Sequence, residues 1–287
     1  MSVSWKRWLA KKAARNAVMA TGWATRNLRS GGNGHSAPEV RVLTYHGFGE
    51  ATRDPYYVRP DVFEDHLRYI AEHDLAVSLD DVMAFVRGER LLKDGSVLVT
   101  MDDGLLSVAE HAAPLMKRYG VPGVAYITTA LVGEDYTAQG NPERYLTWDE
   151  VEALPASGLT VGSHAHTHRS LGEMPLAEAR EEGERSKELL DQHMDAPVES
   201  FAYPFGMRPD ETPETARALT ETGYTSVFIA QHGAIVQGAD PARLPRIKVE
   251  GGELSLTFPL ICQGAMDVWK VVDDTLWRLQ RPPTDQA

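Results

Sequence analysis

The sequence predicts an α/β fold, a distorted (β/α) barrel of about seven to eight parallel strands. Short apolar segments rich in β-branched residues alternate with amphipathic helical segments along most of the chain. Such alternation means parallel strands joined by helical crossovers. The segment 96–101, Ser-Val-Leu-Val-Thr-Met, is an almost unbroken apolar run, the pattern of a strand covered on both faces. A chain of 287 residues also suits a ring of such units better than an open sheet.

The expected strands are 41–45, 76–79, 96–101, 123–129, 159–163, 200–203, 225–230 and 246–249. Between them lie the expected helices. In 61–73, Phe63, Leu67 and Ile70 recur at helical spacing; in 80–87, Val82, Phe85 and Val86 form the inward face. The helix at 107–119 meets a stop signal in Gly120 and Pro122. The helix at 148–154 opens with Thr147 as cap and Glu150 in the reciprocal position. Longer and more charged is 176–194, followed by 212–222 and a C-terminal helix at 268–279. No Gly-x-Gly-x-x-Gly opens a helix after a strand and no Gly-Lys-Ser occurs, so neither a dinucleotide fingerprint nor a P-loop is present.

Charge divides the chain in two. The net charge is −12, yet residues 1–30 hold seven Lys and Arg and no acid. The acidic remainder is a poor match for nucleic acid. Residues 5–23 read as a basic helix with Trp5, Trp8, Leu9, Ala13, Met19, Ala20 and Trp23 on one side. Lys6, Arg7, Lys11 and Arg15 fall mostly on the other, and Lys12 on the apolar side. Trp with Lys and Arg suits the headgroup layer of an anionic membrane, so peripheral membrane contact through this helix is one expectation; the others are a solvated or self-packed N-terminal helix and, since the segment is acid-poor and contains Arg, a transit peptide. A Gly-rich stretch, 30–36, then reads as a linker. The expected organisation is a basic segment and linker at 1–38 and a catalytic domain at 39–287, with the segment removable without loss of the fold. The expected location is cytoplasmic, at or near the membrane surface, because neither a secretory signal nor a spanning segment is seen. The lone Cys262 excludes an internal disulfide and a thiolate metal cluster.

In parallel α/β folds the chemistry gathers where strands end. Here the strand ends read Tyr45-His46-Gly47, Thr100-Met101-Asp102-Asp103-Gly104, Ser163-His164-Ala165-His166-Thr167-His168 and Tyr203-Pro204-Phe205-Gly206. Two adjacent carboxylates repel unless a cation neutralises one. One Asp and two His with open positions is a ligand set for a hydrolytic or oxidative metal. The spacing of His164 and His168 would place both rings on one face of a helical turn, with His166 pointing away. The other Asp would then be free to deprotonate a bound water. The plainer alternatives are an Asp-Gly turn and a polar His loop; neither explains the joint occurrence at strand ends.

These motifs resemble the polysaccharide deacetylases of the NodB-homology type, carbohydrate esterase family four. The resemblance covers most of residues 40–250 and rests on Thr100–Gly104, on His164–His168 and on the order of the segments around them. It implies that Asp102 is the catalytic base and that Asp103, His164 and His168 hold a divalent metal, by default Zn2+, with Co2+, Ni2+ or Mn2+ as alternatives. The third family motif lacks its Arg here. Tyr203-Pro204-Phe205-Gly206 instead resembles the poly-N-acetylglucosamine deacetylase branch, where the acid His comes from the first strand; His46 occupies that position. Arg246 is then the candidate for orienting Asp102, and Tyr203, Pro204 and Phe205 the candidates for substrate and oxyanion contact. The expected activity is removal of N-acetyl groups from amino sugars of a polysaccharide or its precursor. The alternatives are a related amide hydrolase on a small non-sugar substrate and an inactive glycan-binding homologue.

Overall fold

The computed structural model describes residues 12–22, 37–50, 54–136, 143–252 and 257–276. In chain order, a helix α1 (12–22) precedes β1 (Val40–Tyr45), the short β2 (Gly47–Phe48) and β3 (Tyr57–Val58), α2 (Pro60–Glu72) and α3 (Leu79–Val86). Next come β4 (Ser96–Met101), α4 (Ala113–Tyr119), β5 (Gly123–Ile127), the short β6 (Asp135–Tyr136) and β7 (Glu143–Arg144), α5 (Trp148–Ala153) and β8 (Leu159–Ser163). The chain continues with α6 (Leu176–His193), β9 (Ser200–Ala202), α7 (Pro213–Glu221), β10 (Ser226–Phe228), β11 (Ile247–Lys248), α8 (Phe258–Cys262) and α9 (Lys270–Thr275).

Seven parallel strands make one curled sheet in the order β10-β9-β8-β5-β4-β1-β11. The residues just before β11 complete the curl. Leu244 donates to the Val227 carbonyl at 2.8 Å and accepts from Ile229 at 2.9 Å, while Ile247 and Lys248 pair with Leu43 and Thr44 of β1. One stretch thus touches both edges of the sheet. The expected strand at 76–79 is reduced to a single bridge from Ala76 to Val97. The expected helix at 107–119 opens with a π turn over Val108–Ala112 before α4 begins.

Because successive strand residues face opposite sides, each strand divides its side chains between two cores. Leu43, Tyr45, Val97, Val99, Met101, Ala125 and Ile127 pack outward under α2 and α4. Val40, Val42, Leu98, Val124 and Tyr126 point inward, where α3 adds Val82, Phe85 and Val86. The same parity carries Thr44 and Thr100, both buried, along the inner face above Val42 and Leu98. His46 and Asp102 are the next steps on those two rows.

Helix α1 does not stand apart from the body. Met19 is buried in the outer core, and a Cβ on Gly22 would meet the Ala265 carbonyl oxygen at 2.0 Å. Arg15, 2% exposed, donates to the Lys248 carbonyl at 2.9 Å, lies 3.5 Å from Glu250 and stacks over Trp269. Lys12 reaches Glu250 as well, at 3.4 Å. The buried side is therefore Arg15, Met19 and Gly22, while Ala13 and Ala20, expected on the apolar face, are exposed. Projection put Arg15 on the wetted side because it ignores partners; a guanidinium buries when a carboxylate and an aromatic face receive it. Trp5, Trp8, Trp23 and the linker at 30–36 lie outside the described residues. Among the described residues no helix is long and apolar enough to cross a membrane.

Arg15→Ala should lower stability by about 3 kcal/mol, the low end for breaking a buried pair because Lys12 still reaches Glu250. Removal of residues 1–30 should likewise destabilise the body instead of sparing it. Urea unfolding reads both; an unchanged midpoint in the truncated chain would mean that the docked helix contributes nothing.

Candidate active site

The strand ends bring together four segments distant in sequence. Asp102 follows β4, its N–H donating to the Tyr45 carbonyl at 3.0 Å. It is 3% exposed, and both its oxygens accept from Arg246, at 2.6 and 2.8 Å. Arg246 is itself buried, also reaching the Thr100 hydroxyl at 3.3 Å and lying over the Tyr126 ring. Burial alone would raise the Asp102 pKa, but the Arg246 charge and hydrogen bonds outweigh it, and the net direction is down. The carboxylate stays ionised with its orientation set by a two-pronged donor.

Asp103 turns away from that row in a left-handed conformation, φ 75°. Its Oδ1 lies 3.4 Å from His164 Nε2 and 3.3 Å from His168 Nε2. The three ligand atoms all lie within 4.8 Å of one another. His164 Nδ1 donates to the Ala202 carbonyl at 2.8 Å, so its Nε2 presents a lone pair to the cluster. Ligands about 2.1 Å from a tetrahedral ion stand about 3.4 Å apart, so the donor set and its spacing fit a small divalent cation. Burial raises and the two rings lower the Asp103 pKa, which ends well below the ordinary carboxylate value. Burial lowers His168, but Asp103 beside it more than reverses this, and the ring is pushed up.

His164 and His168 converge, but not on a helical turn. Residues 164–168 are an irregular loop in which Ala165 and His168 are left-handed, φ 63° and 59°. Glu182 of α6, 7% exposed, holds the loop by accepting from His166 N at 2.9 Å, Thr167 N at 2.7 Å and the Thr167 hydroxyl at 2.5 Å. His166 turns off the site to Thr129, 2.9 Å from its hydroxyl. Sequence reasoning passed over Glu182. The signal was there: it falls on the buried stripe of α6 with Ala179, Gly183, Ser186 and Leu190, where a carboxylate needs a reason.

His46 stands at the end of β1, edge-on to Tyr56 with ring centroids 4.9 Å apart. Its Nδ1 is buried without a hydrogen-bond partner among the described residues. Burial pushes its pKa down to about 4; Lys248 adds to this, and Asp103 and Asp102 oppose it. Tyr136 and Tyr145, edge to face at 5.5 Å, complete the wall near Asp103, whose charge adds to burial in raising both phenols. The sequence pattern held no sign of Tyr56, Tyr136 or Tyr145, because their segments come together only through the β2–β3 and β6–β7 ribbons. Tyr57 and Glu143 bond across those ribbons, and Glu143 accepts from Ser107 N at 2.6 Å.

Tyr203 is not a substrate contact. Its ring is 1% exposed between Phe201 and Thr215, and its hydroxyl is 3.0 Å from the Thr215 hydroxyl. Strand parity sends it outward, opposite to Ala202. Pro204 is buried. Phe205, left-handed at φ 60° and 37% exposed, lies edge-on to His168 at 4.9 Å. Trp148 stacks on His193 and packs against the outer core. A surface depression lined by Glu211, Arg217 and Arg243 contains none of the metal-type or acid–base residues of this site.

The polysaccharide deacetylase family model matches residues 90–227, a stretch holding Asp102, Asp103, His164 and His168. That stretch, a little under half of the chain, is similar to a polysaccharide deacetylase domain. The chain is 22% identical over 204 residues to the poly-beta-1,6-N-acetyl-D-glucosamine N-deacetylase of Staphylococcus epidermidis, covering 68% of each chain. In structure it is similar to IcaB from Ammonifex degensii, with a TM-score of 0.69, 24% identity, and 80% of this chain and 98% of that one covered. It is also similar to Streptococcus pyogenes PplD, solved in complex with acetate, with a TM-score of 0.68, 19% identity and coverage of 78% and 98%. His46 and Arg246 lie outside the stretch matched by the deacetylase family model.

Alanine at Asp103, His164 or His168 should each abolish stoichiometric metal binding, measured by elemental analysis after dialysis, while His166→Ala keeps it. Metal loss from His166→Ala with retention in His168→Ala would reverse the ligand assignment. Glu182→Ala should weaken metal affinity by about 10- to 100-fold through loss of the loop's anchor, as removal of an outer-shell partner does.

Proposed function

We propose that this polysaccharide deacetylase homologue is a metal-dependent hydrolase that removes N-acetyl groups from the amino sugars of a polysaccharide or its precursor. The observation that carries this reading is the Asp103–His164–His168 cluster beside a buried Asp102 that Arg246 holds by both oxygens. Asp103, His164 and His168 would hold the ion, Zn2+ being the default for one carboxylate and two imidazoles. When bound, the ion polarises the acetamide carbonyl and lowers the pKa of a water.

The remaining work falls to the chain. Asp102 accepts the proton of the attacking water, its lone pairs aimed by Arg246. The Phe205 N–H, which donates to no described residue, is a candidate donor to the oxygen that becomes negative. As the C–N bond breaks, the nitrogen takes a proton from His46, giving acetate and the free amine. His46 is neutral at rest, with its pKa pushed down to about 4, so it acts after taking up a proton as negative charge builds beside it. Relatives supply the substrate class: the Staphylococcus epidermidis protein is named for poly-β-1,6-N-acetyl-D-glucosamine.

Acetate release from N-acetylglucosamine oligomers tests the reading. The activity should vanish on chelation and return with Zn2+; release that persists after chelation would sink the metal-dependent mechanism. His46→Ala should retain its metal and lose about 10²- to 10⁴-fold in kcat, the range for a general acid. Near-normal turnover in that variant would assign the amine's proton to another group.

A further inference from the structure

Lys248 was not among the residues singled out from the sequence, yet it faces the site. It pairs in register with Thr44, whose hydroxyl contacts Thr100 inside the barrel. It also lies two residues beyond Arg246, so strand alternation puts both side chains on the inner face. Arg246 clamps Asp102, and Lys248 sits one layer nearer the mouth. Its Nζ is 3.8 Å from the centroid of the Tyr56 ring, the same ring that His46 meets edge-on.

Among the described residues this ammonium makes no hydrogen bond and no ion pair. Three nearby carboxylates are engaged elsewhere. Glu250, two residues on, is taken by Arg15 at 3.5 Å and Lys12 at 3.4 Å from the docked helix α1. Asp102 is taken by Arg246, and Asp103 by the two imidazoles. Asp54 lies within electrostatic reach, but one of its oxygens accepts from Tyr56 N at 2.9 Å and burial pushes its pKa up. A half-buried ammonium that no described carboxylate bonds directly, in a chain of net charge −12, has donors left to offer an anion. If His46 protonates the departing amine, the cation beside it faces the sugar and not the acetyl group.

We propose that Lys248 is a specificity-determining residue that selects N-acetylated glycans carrying an anionic group, a carboxylate or a phosphate ester, close to the reacting acetamide. The proposal rests on the deacetylase reading above and deepens it. The cation–π contact with Tyr56 holds the ammonium in place, and Arg15, through the Lys248 carbonyl, holds the backbone that presents it.

The test compares the metal-loaded protein and its Lys248→Met and Lys248→Arg variants on three probes. These are a neutral N-acetylglucosamine trimer, the same trimer bearing a phosphate ester, and the same trimer bearing a lactyl ether carboxylate. Wild type should prefer at least one anionic probe by about 10-fold in kcat/KM, mostly through KM, as befits one charge-assisted contact. The phosphate and carboxylate arms identify which anion is read. Added salt should shrink the preference. Lys248→Met should erase it and Lys248→Arg should keep it. Equal turnover of neutral and anionic probes by wild type, or an undiminished preference in Lys248→Met, would overturn the assignment. Calorimetric binding of the three probes to Asp102→Asn protein, with and without Lys248→Met, separates the two readings. Charge-selective binding lost with Lys248 but without acetate release in wild type would fail the deacetylase reading alone. Acetate release without charge selectivity would fail the Lys248 reading alone.

Discussion

The buried pair between Arg246 and Asp102 is the contact on which the rest of the site depends. Arg246 stands where the chain, having hydrogen-bonded to the β10 edge through Leu244, moves across to pair with β1. Asp102 ends the central strand β4. Taking both charges out of water is costly, and the cost is offset only by paired, well-aimed hydrogen bonds. Closure of the sheet and orientation of the Asp102 carboxylate are therefore one event. Loss of Arg246 would leave a carboxylate stranded in the barrel, and loss of the closing segment would remove Arg246 from its partner.

Around that pair the backbone is strained at the strand ends that form the candidate site. Five non-glycine residues among those described have positive φ, and four of them, Asp103, Ala165, His168 and Phe205, stand at the site. Each costs about 1–3 kcal/mol and persists only because neighbours over-determine it. At Asp103 the left-handed turn separates two adjacent carboxylates, sending one to Arg246 and the other to the imidazoles. At Ala165 and His168 it folds a five-residue loop so that both rings face Asp103, with Glu182 satisfying the loop's N–H groups.

The N-terminal helix belongs to the same electrostatic arrangement. Its Arg15 and Lys12 engage Glu250, which follows β11, and Arg15 bonds the carbonyl of Lys248. A segment whose composition separates it from an acidic body is thereby joined to the side of the barrel where Asp102, the Asp103–His164–His168 cluster and His46 meet.

The alternation of apolar strand segments with amphipathic helices was enough to determine a parallel sheet, because burial on both faces writes itself into the sequence as runs such as Ser96–Met101. The residues at strand ends were legible for the same reason: polar groups immediately after such a run have nowhere to go but the mouth of the barrel. That placed His46, Asp102, Asp103, His164 and His168 together. What the sequence lacked was direction and partnership. Period-two alternation turns Tyr203 outward into the core, although its motif suggested substrate contact. Loop geometry with two left-handed residues, not helical spacing, brings His164 to His168. Arg15 and Glu182 look like surface charges until their partners, some 235 and 15 positions away, are seen in contact. Local pattern fixes which residues are buried or reach a strand end, but which charge meets which is decided by contacts between distant segments, and only the tertiary structure makes those.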